Sequence, residues 1–186
     1  MDYSRFINEL TQTAEQFFKG RSERLSQVTT LLCESLLSGN KILIFGNGGS
    51  ASQAQHFAAE LINKFFKVRA PLPAISLTTD TSVLTSIAND FSFDLVYSRQ
   101  IEALGEKGDM AIGLSTSGNS PNIIHAFESA RKKGIKTIAV TGNGGGNMAS
   151  VCDYLLDVPS DITPRIQEVH LLILHILAEE IEKKLC

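Results

Sequence analysis

Along the first 38 positions apolar residues recur at intervals of three and four: Phe6, Leu10, Ala14 and Phe17, then Leu25, Val28, Leu31 or Leu32, and Leu36. Such spacing draws one stripe along a helix. Lys19-Gly20 reads as a break or kink between two helices, and Gly39-Asn40 as the C-cap pair that ends the region. Beyond it the pattern changes. Short, nearly continuous apolar runs at 42–45, 74–77, 110–114, 137–140 and 154–158 alternate with amphipathic stretches. The stretches span 51–66, 81–88 with a second piece at 94–104, 121–133 and 164–185. Strands this apolar are covered on both faces, and their alternation with helices marks a parallel sheet between two helical layers. Ser120-Pro121 is a helix start, with serine as cap and proline in the first turn, and Gly134 is the matching stop. The expected fold is therefore α/β: a three-layer, doubly wound, parallel five-stranded sheet of flavodoxin-like type, with extra N-terminal helices. Those helices have no strand partner in the alternation. Their stripe must cover the sheet edge or another subunit, and the subunit is the preferred reading.

Composition narrows the organisation more than the chemistry. At roughly 150 residues per domain, 186 residues make one domain, 1–186, with 1–38 as oligomerisation helices and 39–186 as the α/β core. An apolar fraction of 43% against 20% charged residues supports a sizeable core. The formal charge of −3 argues against nucleic acid as a partner, because backbone binding requires clustered positive charge. No apolar run approaches the ~20 residues that span a bilayer, so no membrane association is expected. The opening MDYSRFINEL is not a basic stretch followed by an apolar one. Cys33, Cys152 and Cys186 are widely spaced without a C-x-x-C, which suggests reduced thiols, Cys186 the most exposed. A cytoplasmic location follows.

Candidate chemistry gathers at the carboxyl ends of strands, where ligands bind in doubly wound sheets. Gly46-Asn47-Gly48-Gly49-Ser50 follows the first strand and opens a helix. Gly46, Gly48 and Ala51 satisfy G-x-G-x-x-A, and Asp80 lies roughly where a ribose-binding acid would, so a dinucleotide, a sugar or phosphate, and a tight turn all remain open. It is not a P-loop, since the Gly-Lys-Ser/Thr ending is missing. The second loop, Ser115-Thr116-Ser117-Gly118-Asn119-Ser120, places four hydroxyls beside free helix amides. A cap explains one hydroxyl, not four. Two polar cradles facing one crevice suit a phosphorylated sugar better than a dinucleotide. The third loop, 141–146, either completes a wall or only turns, and the turn is the simpler reading.

Four histidines limit the acid–base chemistry. His56 and Glu60 share a helix face, a pairing suited to proton transfer or to a metal site. Ser115 and Ser117 have no neighbouring base, which argues against covalent catalysis. The last helix carries Gln167, Glu168, His170 and His175 within an unusually apolar run, VHLLILHILAEEI. Glu168 is nearly in phase with His175, whereas Gln167 is about 80° away at the ~100° helical step, so helix phase alone prefers Glu168. Buried histidines need partners, which makes at least one of these two informative. His125 reads as ordinary surface.

GNGGSASQAQHFAAEL, IANDF at 87–91, STSGNS and RIQEVHLLILHIL, in this order, resemble the phosphoheptose isomerase branch of the SIS-domain family. The likeness runs over nearly the whole chain. It implies an isomerase that converts sedoheptulose 7-phosphate to D-glycero-D-manno-heptose 7-phosphate by enediolate proton transfer, for bacterial heptose and lipopolysaccharide synthesis. By the same resemblance one Zn2+ per subunit is held by His56, Glu60, Gln167 and His175, with Glu60 as base and His175 as acid/base. Substrate contacts fall to Asn47, Gly48, Gly49, Glu60, Asn89, Asp90, Ser115, Thr116, Ser117, Ser120 and Gln167. The resemblance thus chooses Gln167 over Glu168. It also implies a homotetramer with active sites at subunit interfaces, and a phosphorylated seven-carbon sugar as substrate. The alternatives are an isomerase or sensor for another sugar phosphate, or a non-catalytic SIS-domain partner of the replication initiator. AQHFAA is similar to the latter, but Glu60 and His175, which that relative lacks, are both present. Ala51, Lys64 and Asn143-Gly144 depart from the common isomerase pattern without touching its chemistry.

Overall fold

A computed structural model describes residues 2–186. Five strands, β1 (Ile42–Gly46), β2 (Ala74–Ser76), β3 (Met110–Ser115), β4 (Lys136–Thr141) and β5 (Tyr154–Asp157), form one sheet. Their order is β2-β1-β3-β4-β5, and every neighbouring pair is parallel. The strand order reverses between β1 and β3, so the crevice at their carboxyl ends is the expected ligand site.

Alternating side chains on each strand feed two separate cores, which is what a sheet covered on both faces requires. Ile42, Ile44, Met110, Ile112, Leu114, Ile138 and Val140 pack beneath α1 (Ser4–Leu37), α2 (Gly49–Ile62) and α6 (Thr163–Leu185). Leu43, Phe45, Ala111 and Ala139 pack on the other side, beneath α3 (Thr81–Asp90), α4 (Ser98–Leu104) and α5 (Pro121–Lys132). Short 3-10 segments at Phe93–Leu95 and Asn143–Ser150 complete that second layer. Among the described residues no helix is long and apolar enough to cross a membrane. The three cysteines are free, with Cys33 buried and Cys186 exposed.

Three expectations change. The N-terminal region is one unbroken helix of 34 residues, not two helices divided at Lys19-Gly20. A mid-helix glycine costs only about 1 kcal/mol, and the buried Phe17, Leu25, Val28 and Leu32 on either side hold the helix through it. Its stripe, moreover, is covered within the chain: α1 lies against α6 and β5, and Arg21 reaches Asp157 at the end of β5 with a two-pronged ion pair of 2.7 and 3.0 Å. The stripe therefore does not depend on a second subunit for its cover, although Phe6, Ile7 and Leu37 stay exposed. The predicted closure does form at its end, where Asn40 N–H bonds back to Ser35 O.

The helix expected over 51–66 stops at Ile62. The amides of Phe65, Phe66 and Lys67 turn away from helical carbonyls to donate to the Glu182 carboxylate. A buried anion thus outcompetes one more helical turn.

Candidate active site

The glycine loop is held by polar side chains from three elements. Asn47 and Asn122 exchange amide hydrogen bonds of 3.0 and 2.9 Å, tying the end of β1 to the start of α5. The Tyr97 hydroxyl donates to Gly46 O at 2.5 Å and lies 3.3 Å from Asn47 Oδ1. Burial raises that phenol to about 12, so it remains a donor throughout the neutral range. Asn122 and Tyr97 are functional neighbours that the sequence reading missed. Nothing in their spacing marks them, because each reaches the loop only through the fold. Asp80, a candidate ribose ligand, is instead the N-cap of α3, accepting from Val83 N–H at 2.9 Å.

The serine loop turns at the end of β3. Ser115 is buried, and its hydroxyl lies 3.1 Å from Ser120 Oγ and 3.5 Å from Ser117 Oγ. Ser120 occupies the N-cap position of α5, but its side chain makes no capping bond. The expected cap therefore differs from the observed one: Ser120 points inward to the other hydroxyls instead of serving its own helix. Helix amides and three clustered hydroxyls face the same turn, a neutral cradle suited to a phosphate.

The third loop is a wall, not only a turn. Gly142 N–H donates to Thr116 O, Met148 N–H to Gly118 O, and Asn147 N–H to Asn119 Oδ1. Gly118 has φ of +65°, and a Cβ there would lie 2.0 Å from Gly145 O. The glycine-rich GNGGGN stretch is what permits this close backbone approach behind the serine loop.

On the opposite helical layer α2 and α6 run side by side, and the titratable candidates meet along their seam. His56 Nε2 is 2.9 Å from His175 Nε2, and 3.4 Å from Glu60 Oε1. Phe65 places its ring 5.8 Å from that of His175. Nearer the glycine loop, a Cβ on Gly49 would sit 2.7 Å from Gln167 Nε2, so glycine leaves room for Gln167 over the start of α2. Gln53 Nε2–H donates to Gln167 O at 2.6 Å, pinning the two helices there.

Glu168 points elsewhere. It holds Arg165 through two bonds of 2.6 Å, and Arg165 also reaches Glu9 and Phe6 O of α1. Helix phase favoured it over Gln167, yet the ion pair with Arg165 takes it to the α1 side of α6. His170 is fully buried and bonds through Nε2 to Thr141 O at 2.9 Å, while its Nδ1 has no partner. Burial lowers it to about 4, so it is a neutral core histidine. His125 is a partly exposed neighbour of Glu128, as a surface histidine would be. Asn89 and Asp90 lie exposed at the end of α3, bonded to each other at 2.8 Å and to neither loop.

The donor set at the seam is two imidazoles and one carboxylate, the chemistry of a catalytic zinc site. Among the described residues no group of three or more His, Cys, Asp or Glu side chains is arranged to hold a metal ion. The imidazole nitrogens instead approach each other directly. The donor types are those that bind zinc.

A family model described as SIS domain matches residues 5–142. A phosphoheptose isomerase of Helicobacter pylori (strain P12) is 55% identical over 161 residues, 87% of this chain and 84% of that protein. Another from Aquifex aeolicus is 46% identical over 182 residues, 98% and 95% of the two chains. The solved structure of a phosphoheptose isomerase from Neisseria gonorrhoeae superposes with a TM-score of 0.92 at 42% identity, covering 97% of this chain and 96% of that one.

Proposed function

We propose the function of this chain from one premise: it belongs to the SIS-domain family, in the branch of the phosphoheptose isomerases. It is an isomerase that converts sedoheptulose 7-phosphate into D-glycero-D-manno-heptose 7-phosphate, a reaction of bacterial heptose synthesis. The observation that carries this reading is the meeting of His56 on α2 with His175 on α6 at 2.9 Å, with the Glu60 carboxylate beside His56 at 3.4 Å. A carboxylate base beside an imidazole proton carrier is what a ketose–aldose shift requires.

In the mechanism we infer, Glu60 takes a proton from C1 of the ketose. The C–H electron pair forms the C1–C2 double bond, and O2 takes up negative charge. His175 delivers a proton to O2. Glu60 then returns its proton to C2 while His175 takes the O1 proton, which leaves the aldehyde at C1. Ser115, Thr116, Ser117 and Ser120, with the amides at the start of α5, hold the 7-phosphate. Asn47, Gly48 and Gly49 line the sugar chain, and Gln167 adds an amide above Gly49. Asn89 and Asp90 make no bond to this site within the chain. Their part in binding, carried by resemblance alone, fits a site that a neighbouring subunit completes.

A zinc ion held by His56, Glu60, Gln167 and His175 would supply Lewis-acid stabilisation of the oxyanion. The donor chemistry at the α2–α6 seam supports that assignment. A homotetramer with shared sites is supported by the apolar residues that α1 leaves exposed, Phe6, Ile7 and Leu37. A cytoplasmic location fits a sugar-phosphate substrate.

The test is turnover of sedoheptulose 7-phosphate, followed as aldose formation, before and after chelation. Expected are turnover, its loss on chelation, and its return with Zn2+ at one equivalent per chain by elemental analysis. Absence of turnover in the zinc-loaded protein would sink the isomerase reading. Full turnover in metal-free protein would sink the zinc assignment alone. A sedimentation mass near the 20.2 kDa of one chain would refute the tetramer.

A further inference from the structure

Beyond the reacting groups, one buried ion pair joins every element that carries them. Glu182 on α6 and Arg69 in the segment after α2 have side chains only 3% exposed, and they meet at 3.1 Å. Apart from a bond from Arg69 to the neighbouring Ala70 O, the remaining bonds of both reach outward to the site. Glu182 accepts the amides of Phe65, Phe66 and Lys67 at 3.0, 2.8 and 2.7 Å. Arg69 donates through Nη2 to Glu60 O at 2.9 Å and through Nη1 to Leu61 O at 2.7 Å. Those two carbonyls belong to the last turn of α2, which otherwise lacks helical donors. The guanidinium therefore grips the backbone of the proposed base itself. The turn that Glu182 grips carries Phe65, whose ring lies against His175. Glu182 is on the same helix as His175, two turns farther along.

We propose that Arg69 and Glu182 are positioning residues of the isomerase site, which lock the end of α2 to α6 so that His56, with Glu60 beside it, faces His175. The inference rests on the functional reading above for its kinetic consequence, but not for its geometry. Neither residue touches the reacting atoms. Their pairing sets the spacing of two helices whose side chains do. The electrostatics agree with a permanent latch. Burial tends to raise the Glu182 carboxyl, yet the three amides and Arg69 hold it down to about 2.

Glu182→Gln is the sharpest probe, because the carboxylate faces four donors and no acceptor. An amide NH2 there must oppose one of them. With sedoheptulose 7-phosphate as substrate, kcat is expected to fall roughly 10- to 100-fold through misplacement, with KM held within about threefold. Hydrogen exchange at Phe65, Phe66 and Lys67 should accelerate. The imidazole 15N resonances of His56 and His175 should shift, and that of His125 should not. Unchanged kcat would overturn the proposal, whether or not those amides lose protection. So would a fall in kcat that only tracks the unfolded fraction, or unmoved His56 and His175 resonances. If Glu182→Gln does not accumulate folded, Arg69→Lys is read the same way. Lysine keeps the charge but loses the fork that spans two carbonyls, so unchanged kcat there is equally fatal. Should wild-type protein fail to turn over the substrate, the isomerase reading fails by itself, and the imidazole shifts still decide the positioning claim.

Discussion

The serine loop is assembled from six consecutive residues between β3 and α5, whereas the cluster at the α2–α6 seam joins two histidines 119 positions apart. The first obtains its geometry locally. A strand end, a turn and a helix start bring the hydroxyls of Ser117 and Ser120 within 3.5 Å of that of Ser115. The second obtains its geometry from packing. His56 and His175 meet only because two helices of one layer are pinned at Gln53–Gln167 on one side and at Arg69–Glu182 on the other. A binding loop built this way depends on its own residues and on the third loop that backs it, and on little else. A proton-transfer site built across a helix seam depends on many residues that never touch substrate.

That contrast predicts effects of different size and kind. The largest is expected at the seam: Glu60→Gln, compared with wild type at equal zinc content, should lower kcat by roughly a thousandfold, with thermal stability little changed. A variant within tenfold of wild type would remove Glu60 as the base.

Next comes the core beneath the seam. His170 is neutral when folded, held at about 4 by burial, whereas an exposed histidine titrates near 6.5. The unfolded chain therefore binds the extra proton between those values. Its contribution is present above about pH 6.5 and is lost as pH falls toward 4. The slope is about 1.4 kcal/mol per pH unit, to about 3 kcal/mol in all. Denaturant titrations from pH 7 to 4 should show this slope. Failure of His170→Gln to flatten it would place the acid sensitivity elsewhere.

Gly118→Ala should then cost about 2 kcal/mol of stability, because its φ is positive and its Cβ would strike Gly145 O. KM should rise as the serine loop moves, and chemical denaturation with steady-state kinetics reads both. A variant as stable as wild type would show that the third loop yields freely.

The smallest effect isolates the cradle. Ser120→Ala should raise KM about tenfold through one lost charge-assisted bond, leaving kcat within twofold. Stability should stay within about 0.5 kcal/mol, since this hydroxyl does not cap α5. A loss of stability with unchanged KM would return Ser120 to a structural role.

Particular residues show where sequence reading reaches its limit. All five strands appear where apolar runs predict them, because a strand buried on both faces must be apolar along its length. The two polar loops are legible for the same local reason, each lying between a strand and a helix start. Gln167 and Glu168 show the opposite case. Helix phase ranks Glu168 nearer His175, but Arg165 draws it to α1 while Gln167 lies over Gly49. Asn122, Tyr97, Arg69 and Glu182 carry no local mark at all. Their partners lie 51, 75 or 113 positions away.

What the sequence determined by itself was the periodicity and hence the layered sheet, the place of the glycine and serine loops, and the short roster of acid–base groups. Only the tertiary structure decided that α1 is continuous and covered within its own chain. It alone decided that the glycine-rich third loop buttresses the serine turn, that Ser120 turns inward, and that His170 is core while His175 meets His56. Periodicity reports which side of an element is buried, since burial repeats with the backbone. Which buried or half-buried polar group meets which depends on how separate elements pack, and no single element records that.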